Sequence, residues 1–252
     1  MLSFKDTHNS ADILEENARY IHYHTPSQLI KYYANYFEYK EMPTLELFKE
    51  DLSYQREFHM KHHQQHLLFI FPDNEVIPES IVTYAKDHGC NLELMELYEL
   101  KHPKQLRRND DVVCEVVTED GPIFDDFLIV CAAGEIEYGE DFVKLKEETH
   151  RRDLLNSKIL QIVAYIDNTP AGKIEAIMGE DTVEIDDFYV IETYRRRSIG
   201  SGLQEAVYNH AHGKQVFLIA DGNDTARDMY IRQGYHKIAE RYELLLAPYS
   251  ND

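Results

Sequence analysis

The sequence predicts an α/β (α+β) protein whose central sheet is mixed, mostly antiparallel, and flanked by helices. Three strand-like segments follow one another with only short turns between them, which indicates antiparallel pairing (159–166, 171–178 and 182–190). Helical and strand patterns then alternate up to residue 247, which indicates crossovers between parallel strands. With 43% hydrophobic residues over 252 positions, the chain has enough apolar side chains for a sizeable core.

Residues 1–107 are predicted to form a smaller α/β domain that precedes the main one. A half-buried strand is expected over residues 18–24, because apolar and polar side chains alternate there. The tyrosine-rich segment 27–39 begins after a proline, and we expect it to be helical. Further elements of this domain are predicted from apolar runs and periodicity: a helix over 45–66, a strand over 67–71, a helix over 79–88 and a strand over 92–100.

The charged, proline-containing stretch 101–110 is predicted to be a linker, so the second domain is placed at residues 108–252. A strand over 111–118 and a mostly helical region over 123–156 precede the three antiparallel strands. The elements expected after those strands are a helix over 200–212, a strand over 215–220, a helix over 225–233, and two final strands over 235–238 and 241–247.

The chain is strongly acidic, with 46 acidic and 26 basic residues and a formal net charge of −20. This balance argues against general binding of nucleic acid and against attraction to anionic membranes. No apolar run is long enough to span a bilayer, and the N-terminus lacks the apolar segment of a signal peptide. Three widely spaced cysteines without a C-x-x-C pair favour buried thiols in a reducing compartment. We therefore expect a cytoplasmic protein.

Four histidines, His59, His62, His63 and His66, share one face of the helix predicted over 45–66. This spacing would allow two imidazoles to bind one metal ion. The helix offers no carboxylate or cysteine at a matching offset, and an exposed polar helix face explains the pattern as well. We therefore predict no metal site.

The stretch 183–204 has the sequence features of an anion site. It runs from a strand pattern through three consecutive arginines into Ser-Ile-Gly-Ser-Gly and then a helical pattern. Small residues let successive backbone N–H groups converge on one anion, and the helix that begins near Gly200 adds unpaired N–H donors. The guanidinium groups supply charge and paired donors for phosphate oxygens. The alternative is that the arginines are solvated surface residues.

Two segments of the second half resemble motifs of the GNAT superfamily of acetyl-CoA-dependent N-acyltransferases. Residues 194–203 resemble its pyrophosphate loop, Arg/Gln-x-x-Gly-x-Gly/Ala. Residues 223–235 are similar to its series of asparagine, alanine, tyrosine, glycine and aromatic residue at the same spacing. The two segments stand in the family's order, and the resemblance covers about residues 108–247. It implies the acyl-CoA N-acyltransferase fold.

The pyrophosphate loop has two registers. Arg195-x-x-Ser198-x-Gly200 keeps the family's distance from the end of the preceding strand but has serine where glycine is usual. Arg197-x-x-Gly200-x-Gly202 matches the residue types of the motif but begins two residues later than the first register. We favour the first register, because the spacing between strand and loop is set by geometry.

The resemblance implies an N-acetyltransferase that moves an acetyl group from acetyl-CoA to a primary amine by direct transfer in a ternary complex. It implies that loop residues hold the cofactor's pyrophosphate, and these are Arg195, Arg196, Arg197, Ser198, Ile199, Gly200 and Ser201. Phe188, Tyr189 and Val190 would contact the thioester and the pantetheine arm, and Asn223 would contact the cofactor. Tyr230 would contact the cofactor and protonate its leaving thiolate, and Glu184 would be the general base. No metal is required.

Each role has an alternative. Tyr230 is also explained as a ring packed at the sheet edge, and Asn223 as a turn former. Side-chain alternation puts Asp186 on the strand face of Glu184 and points Asp187 to the opposite face, so an acidic cluster could act through water or merely attract a cation. The alternative for the whole chain is a non-catalytic acyl-CoA-binding regulatory module.

The first domain weakly echoes the second. Residues 68–74, with Tyr84 and Gly89 downstream, resemble residues 216–223 with Tyr230 and Gly234. We hypothesise a degenerate GNAT-like half without an arginine-glycine loop and hence without bound coenzyme A, an idea that an all-helical first half would contradict. The acceptor is expected to be a small-molecule amine or a peptide, and the protein a monomer or a homodimer.

Overall fold

The computed structural model describes residues 2–101, 109–223 and 227–247. These residues form a mixed α/β structure with a large, mainly antiparallel sheet flanked by helices, as predicted. The chain divides into two compact units. The first contains described residues 2–97, 220–223 and 237–247, and the second contains 98–101, 109–219 and 227–236. The predicted linker at 101–110 and the boundary at 107/108 fall largely on residues outside the described ranges.

The first unit contains six strands and two α-helices among its described residues. They are β1 (Ile13–Glu16), β2 (Tyr20–His24), β3 (Asn35–Tyr39), α1 (Leu45–Lys61), β4 (Leu67–Ile70), α2 (Glu79–Asp87), most of β5 (Asn91–Leu100) and most of β11 (Tyr235–Leu246). Antiparallel pairing joins β1 to β2, β2 to β3, and β4 to β11, whereas β3 and β4 are parallel. The two strands predicted near the C-terminus are one continuous strand, β11.

Two predictions for this unit are wrong. Residues 27–39 do not form a helix: two short 3₁₀ turns, Pro26–Gln28 and Tyr32–Ala34, lead into β3. Tyrosine and phenylalanine favour strands, and Phe37 is fully buried between neighbouring strands and α1, so tertiary packing overrides the local pattern. The helix predicted over 45–66 ends at Lys61, because His63 adopts φ +60°.

The four histidines are also not the exposed helix face that we expected, because α1 ends at Lys61 and only His59 belongs to it. His59 and His66 are 1% and 2% exposed, and only His62 and His63 retain more accessible surface. The His24 ring lies 4.5 Å from that of His62, and the His22 ring lies 4.8 Å from that of Phe58. Histidines of a strand and of a helix therefore form one buried aromatic layer.

The second unit contains the predicted antiparallel strands followed by crossovers. Its elements are β6 (Val112–Val116), α3 (Pro122–Glu135), α4 (Glu140–Leu154), β7 (Ile159–Ile166), β8 (Thr169–Met178), β9 (Thr182–Val190), α5 (Ile199–His210), most of β10 (Gln215–Asp221) and α6 (Arg227–Gln233). The strands β6, β7, β8 and β9 are antiparallel neighbours in that order, and β10 runs parallel to β9. Asp167 and Asn168 close the predicted β7–β8 hairpin with φ of 51° and 57°, as a type I′ turn requires.

The order of elements repeats along the chain. In the first half β3, α1, β4, α2 and β5 succeed one another, and in the second half β9, α5, β10, α6 and β11 do so. In each series the first two strands are parallel neighbours. The first half is therefore not all-helical, and its order matches the hypothesis of a degenerate GNAT-like repeat.

Within the described ranges, no helix has both the length and the apolar character needed to cross a bilayer.

Candidate active site

An opening between two parallel strands is the centre of the candidate site. The pairing of β9 with β10 begins at Thr182 and Gln215 and ends at Ile185 and Leu218, although β9 continues to Val190. Backbone N–H and C=O groups need hydrogen-bond partners, so strand edges that part within a sheet offer a ready binding surface for an extended ligand. The residues predicted to contact the thioester, Phe188 to Val190, belong to this continuing part of β9.

The loop after β9 brings a helix N-terminus to the same end of the strand. Arg196 and Ser198 both adopt left-handed backbone conformations, with φ of 64° and 68°. The first hydrogen bond of α5 runs from the Gly202 N–H to the Ser198 carbonyl at 3.0 Å. The N–H groups of Ile199, Gly200 and Ser201 therefore precede the helix's own ladder, at the positive end of its dipole. This arrangement suits an anion.

Glycine is required at two places where α5 approaches the sheet. A Cβ on Gly200 would lie 2.9 Å from Phe188 Cζ, and a Cβ on Gly172 of β8 would lie 2.8 Å from Ile199 Cγ2. Either contact is closer than carbon atoms tolerate, so the helix could not begin here with larger residues. The Phe188 ring and the buried Ile199 thus fix the position of the loop against the strands.

Ser198 occupies the left-handed position where the resembled motif has glycine. Its φ of 68° and ψ of 12° are favoured by glycine and cost a residue with a Cβ roughly 1–2 kcal/mol. The left-handed position thus lies three residues after Arg195, which is where the register Arg195-x-x-Ser198-x-Gly200 puts the motif's glycine. That register stays a prediction for coenzyme A binding.

We expect Ser198→Gly to raise the free energy of unfolding by about 0.5–1 kcal/mol, because relief of the left-handed strain exceeds the entropy that glycine loses on folding. Urea denaturation measures the change. The matched control is Ser201→Gly in the first turn of α5, where the Ser201 hydroxyl accepts a 3.4 Å hydrogen bond from Gln233 Nε2. The control is expected to be destabilised, and equal destabilisation of both variants would contradict the assignment of strain to Ser198.

The three arginines differ in what they contact. Arg195 Nε donates to the Val190 carbonyl at 3.1 Å, and its Nη1 donates to Glu192 at 3.3 Å. Arg197 Nη2 donates to Asp167 at 3.2 Å, and all three arginines are exposed. A guanidinium has five N–H donors, so Arg195 and Arg197 can hold the loop and still donate to an anion.

The predicted β9 residues lie on different faces of the sheet. Phe188 faces α5, whereas the Tyr189 ring covers Gly134 of α3 and its hydroxyl donates to the Ala133 carbonyl at 3.4 Å. Val190 is opposite Gly172 on β8. Glu184 is half-buried, between Ile177 of β8 and Phe217 of β10 in the register of the sheet.

A β-bulge in β9 corrects the predicted directions of two carboxylates. Asp186 is opposite Glu175 and Tyr189 is opposite Lys173, so three steps along β9 match two along β8. Asp187 has φ of +40° within this bulge. Its carboxylate pairs with Lys173, which shares a face with Tyr189, instead of pointing to the face opposite Asp186.

A network of buried and half-buried ionic groups lies on that face, and we did not predict it from the sequence. Asp187 pairs with Lys173 and with Lys146 of α4, the latter at 3.0 Å. His150 Nδ1–H donates to Glu175 at 3.2 Å and Nε2–H donates to Glu135 at 2.9 Å, so the ring is an imidazolium. Among the described residues, one sequence feature pointed to this network. Lys173 and Glu175 are charged residues at alternate positions of a largely apolar strand.

Burial and charge act in opposite directions on these groups. Burial alone would lower the pKa of His150, but hydrogen bonds to the Cys131 sulfur, Glu135 and Glu175 raise it to about 11. Burial would raise the pKa of Asp187, but the charges of Lys173 and Lys146 hold it well below its usual range. His150 and Asp187 are therefore both ionised at neutral pH.

Tyr230 and Asn223 complete the set of predicted site residues. Tyr230 of α6 is 8% exposed, and its ring centroid lies 6.0 Å from that of Tyr98 and 5.8 Å from that of Tyr235. Asn223 is exposed in the first unit, where its N–H donates to the Asp221 carboxylate at 2.8 Å, the geometry of a turn.

Comparisons with known proteins agree with this geometry. The acetyltransferase (GNAT) family matches residues 130–235, and a domain of unknown function (DUF5613) matches residues 2–98. No curated protein matches the sequence. A functionally unknown conserved protein from Staphylococcus epidermidis ATCC 12228 is similar in structure, with 33% identity, 97% of each chain covered and a TM-score of 0.90.

Two further solved structures are similar in fold at low identity. A GCN5-related N-acetyltransferase from Sphaerobacter thermophilus is 12% identical, with a TM-score of 0.63 over 93% of this chain and 83% of that chain. A tandem GNAT protein from the clavulanic acid biosynthesis pathway is 11% identical, with a TM-score of 0.54 over 80% of this chain and 70% of that chain. The identity with the staphylococcal protein extends over 97% of both chains, so the two are members of one family. Residues 130–235 therefore form a domain of the acetyltransferase (GNAT) family, a family of acyltransferases.

Proposed function

We propose that the protein is an N-acetyltransferase that moves an acetyl group from acetyl-CoA to a primary amine by direct transfer in a ternary complex. The observation that carries the proposal is the end of β9–β10 pairing at Ile185 and Leu218, followed directly by the N-terminus of α5. An extended arm fits between the parted strands, and a pyrophosphate fits at the N–H groups of Ile199 to Ser201. Arg195, Arg196 and Arg197 supply the positive charge there.

The chemistry assigns three tasks to the chain's own residues. An ammonium must lose a proton before it can attack, the thioester carbonyl must be polarised, and the leaving thiolate must be protonated. The Val190 N–H polarises the carbonyl, Tyr230 protonates the thiolate, and the resemblance assigns the base to Glu184. Direct transfer needs no covalent intermediate on the enzyme, so no protein nucleophile is required.

The acceptor is proposed to be a small-molecule amine or a peptide amine. The net charge of −20 favours a cation over an anionic partner, so neither nucleic acid nor membrane is proposed as a partner. Asn223 stays a predicted cofactor contact. A cytoplasmic location and a monomeric or homodimeric state are proposed with it, and size-exclusion chromatography with light scattering would determine the latter.

We expect Tyr230→Phe to lower kcat by about 100-fold over a panel of amines, because the leaving thiolate loses its proton donor. Calorimetry should show coenzyme A bound with unchanged affinity. The matched control is Tyr235→Phe, which removes the hydroxyl of a neighbouring ring that is 1% exposed, and which should leave kcat within a few-fold of the wild type. Coenzyme A binding without turnover of any amine would instead favour the non-catalytic acyl-CoA-binding module.

A further inference from the structure

Asp186 is the first residue of β9 beyond the last pair with β10. The pairing ends at Ile185, so the next side chain lies where the two strands part. Asp186 is exposed, whereas its register partner Glu175 on β8 is 6% exposed. A solvent-accessible carboxylate therefore stands at the opening that the proposed function gives to the thioester.

The bulge at Asp187 places a second carboxylate beside the first. Regular strand alternation would direct residues 186 and 187 to opposite faces. With φ of +40° at Asp187, the bulge lets Asp187 meet Lys173 and Lys146 while Asp186 stays opposite Glu175, on the same side of the sheet. The carboxylates of Asp186 and Asp187 thus lie on the same side of the sheet.

The two carboxylates differ in their partners. Asp187 is held by two lysines, one of them Lys173, which is 1% exposed and reaches the bulge from the neighbouring strand. A carboxylate paired with two ammonium groups stays ionised and is a poor proton acceptor. Asp186 is accessible to solvent and to an incoming amine.

We propose that Asp186, rather than Glu184, accepts the proton of the attacking ammonium, and that Asp187 is the positioning residue that holds the bulge. This inference rests on the proposed function. The ammonium N–H proton moves to a carboxylate oxygen of Asp186, and the nitrogen lone pair then forms the C–N bond at the thioester carbonyl. The C–S bond breaks and the thiolate takes a proton from Tyr230. The second proton of the attacking nitrogen then passes to the Tyr230 phenolate as the amide forms, and Asp186 releases its proton to water.

The electrostatics of the pair agree with this division of roles. Surrounding protein, followed by the negative charge of Asp187, raises the pKa of Asp186, although the side chain reaches solvent. The lysines hold the pKa of Asp187 well below its usual range. Neighbouring acids whose pKa values are driven apart are typical of acid–base sites.

The test compares three variants of the full chain in their pH profiles of kcat/KM with acetyl-CoA and the best amine of the panel. Asp186→Asn is expected to lower kcat/KM by about 100-fold and to abolish the acidic limb, with coenzyme A affinity unchanged. Asp186→Glu should retain the limb. Glu184→Gln should lower kcat/KM only a few-fold and keep the limb.

Asp187→Asn tests whether Asp187 acts on Asp186 or only stabilises the fold. Removal of this negative charge is expected to shift the acidic limb to lower pH, because the neighbouring charge no longer raises the pKa of Asp186. An acidic limb that survives in Asp186→Asn, or that disappears in Glu184→Gln, would overturn the inference while turnover by the wild type upholds the proposed function. Coenzyme A binding with no turnover by the wild type would overturn both.

Discussion

Replacement of Lys173 by methionine is expected to lower the free energy of unfolding by about 3–5 kcal/mol, because it leaves the half-buried Asp187 carboxylate without its nearest cation. Lys173 is 1% exposed, and its ammonium lies between Asp187 and the Phe127 ring, whose centroid is 5.8 Å away. Lys146 still contacts Asp187 at 3.0 Å, so the loss should lie nearer the lower end of this range.

A double-mutant cycle shows whether the loss comes from an unpaired charge. Asparagine tolerates positive φ, so Asp187→Asn fits the φ of +40° and removes the charge with little change of shape. We expect Lys173→Met combined with Asp187→Asn to recover about half of the stability that Lys173→Met alone loses. Urea denaturation of the four proteins gives the coupling energy.

The control for charge removal is an ion pair at the surface. Lys144 pairs with Asp141 at 3.3 Å, and both side chains are largely exposed. Lys144→Met should change the free energy of unfolding by less than about 0.5 kcal/mol. If Lys173→Met is no more destabilising than this control, the buried network does not depend on its charges.

The elements that the sequence predicted correctly carry their signals locally. The β7–β8 hairpin follows from Asp167 and Asn168, whose side chains tolerate positive φ between two apolar runs. The passage from β9 into α5 follows from small residues next to a strand pattern, and Gly200 stands where Phe188 leaves no room for a Cβ. Such signals lie within a few residues of the structure that they determine.

What the sequence could not show depends on partners far along the chain. His150 binds Glu135 and Glu175, which are 15 and 25 positions away, and nothing near His150 in the sequence indicates its burial. The Asp187 bulge depends on Lys173 and Lys146 and therefore breaks the alternation assumed for Asp186. Likewise, β3 is a strand because β2 and β4 flank it, against a local pattern that favoured a helix.

Acidification from pH 7 to pH 5 is expected to cost the first unit several kcal/mol of stability through its buried histidines. His22 is fully buried and His59 is 1% exposed. Burial, and then the charge of neighbouring histidines, lowers the pKa of His22 to about 3. Burial likewise lowers the pKa of His59 to about 4, even though its ring hydrogen-bonds the His66 carbonyl at 2.7 Å. Burial also lowers the pKa values of His24 and His66.

The sign follows from proton linkage. The unfolded chain takes up protons on these rings below about pH 6.5, whereas the folded unit does not until about pH 4 or lower. Stability is therefore lost as the pH falls through this window, by on the order of 2 kcal/mol per ring at pH 5 for His22 and His59. His150 of the second unit has the opposite sign: its pKa of about 11 keeps it protonated when folded, so its stabilisation grows as the pH falls toward the unfolded pKa of about 6.5 and levels off below it.

The aromatic neighbours of His22 allow its ring to be replaced by phenylalanine as a test of this prediction. Its ring lies 4.4 Å from that of Phe37 and 4.8 Å from that of Phe58, and neither of its nitrogens has a hydrogen-bond partner among the described residues. Phenylalanine therefore suits the site, and His22→Phe should reduce the loss between pH 7 and pH 5 by about 2 kcal/mol. His63→Asn, at an exposed position of the first unit whose φ of 60° asparagine tolerates, should leave the loss unchanged.

Hydrogen exchange of the β2 amide groups, followed at pH 7, 6 and 5, measures the stability of this unit directly, because each unit can open separately. The wild type should lose protection in β2 and α1 on acidification once the intrinsic pH dependence of exchange is corrected. The same profile in His22→Phe and in the wild type would mean that His22 takes up its proton without unfolding. The unfolded wild type binds protons at all four buried histidine rings, whereas unfolded His22→Phe binds them at three. The wild type should therefore lose more stability on acidification than His22→Phe only if the folded unit keeps His22 unprotonated.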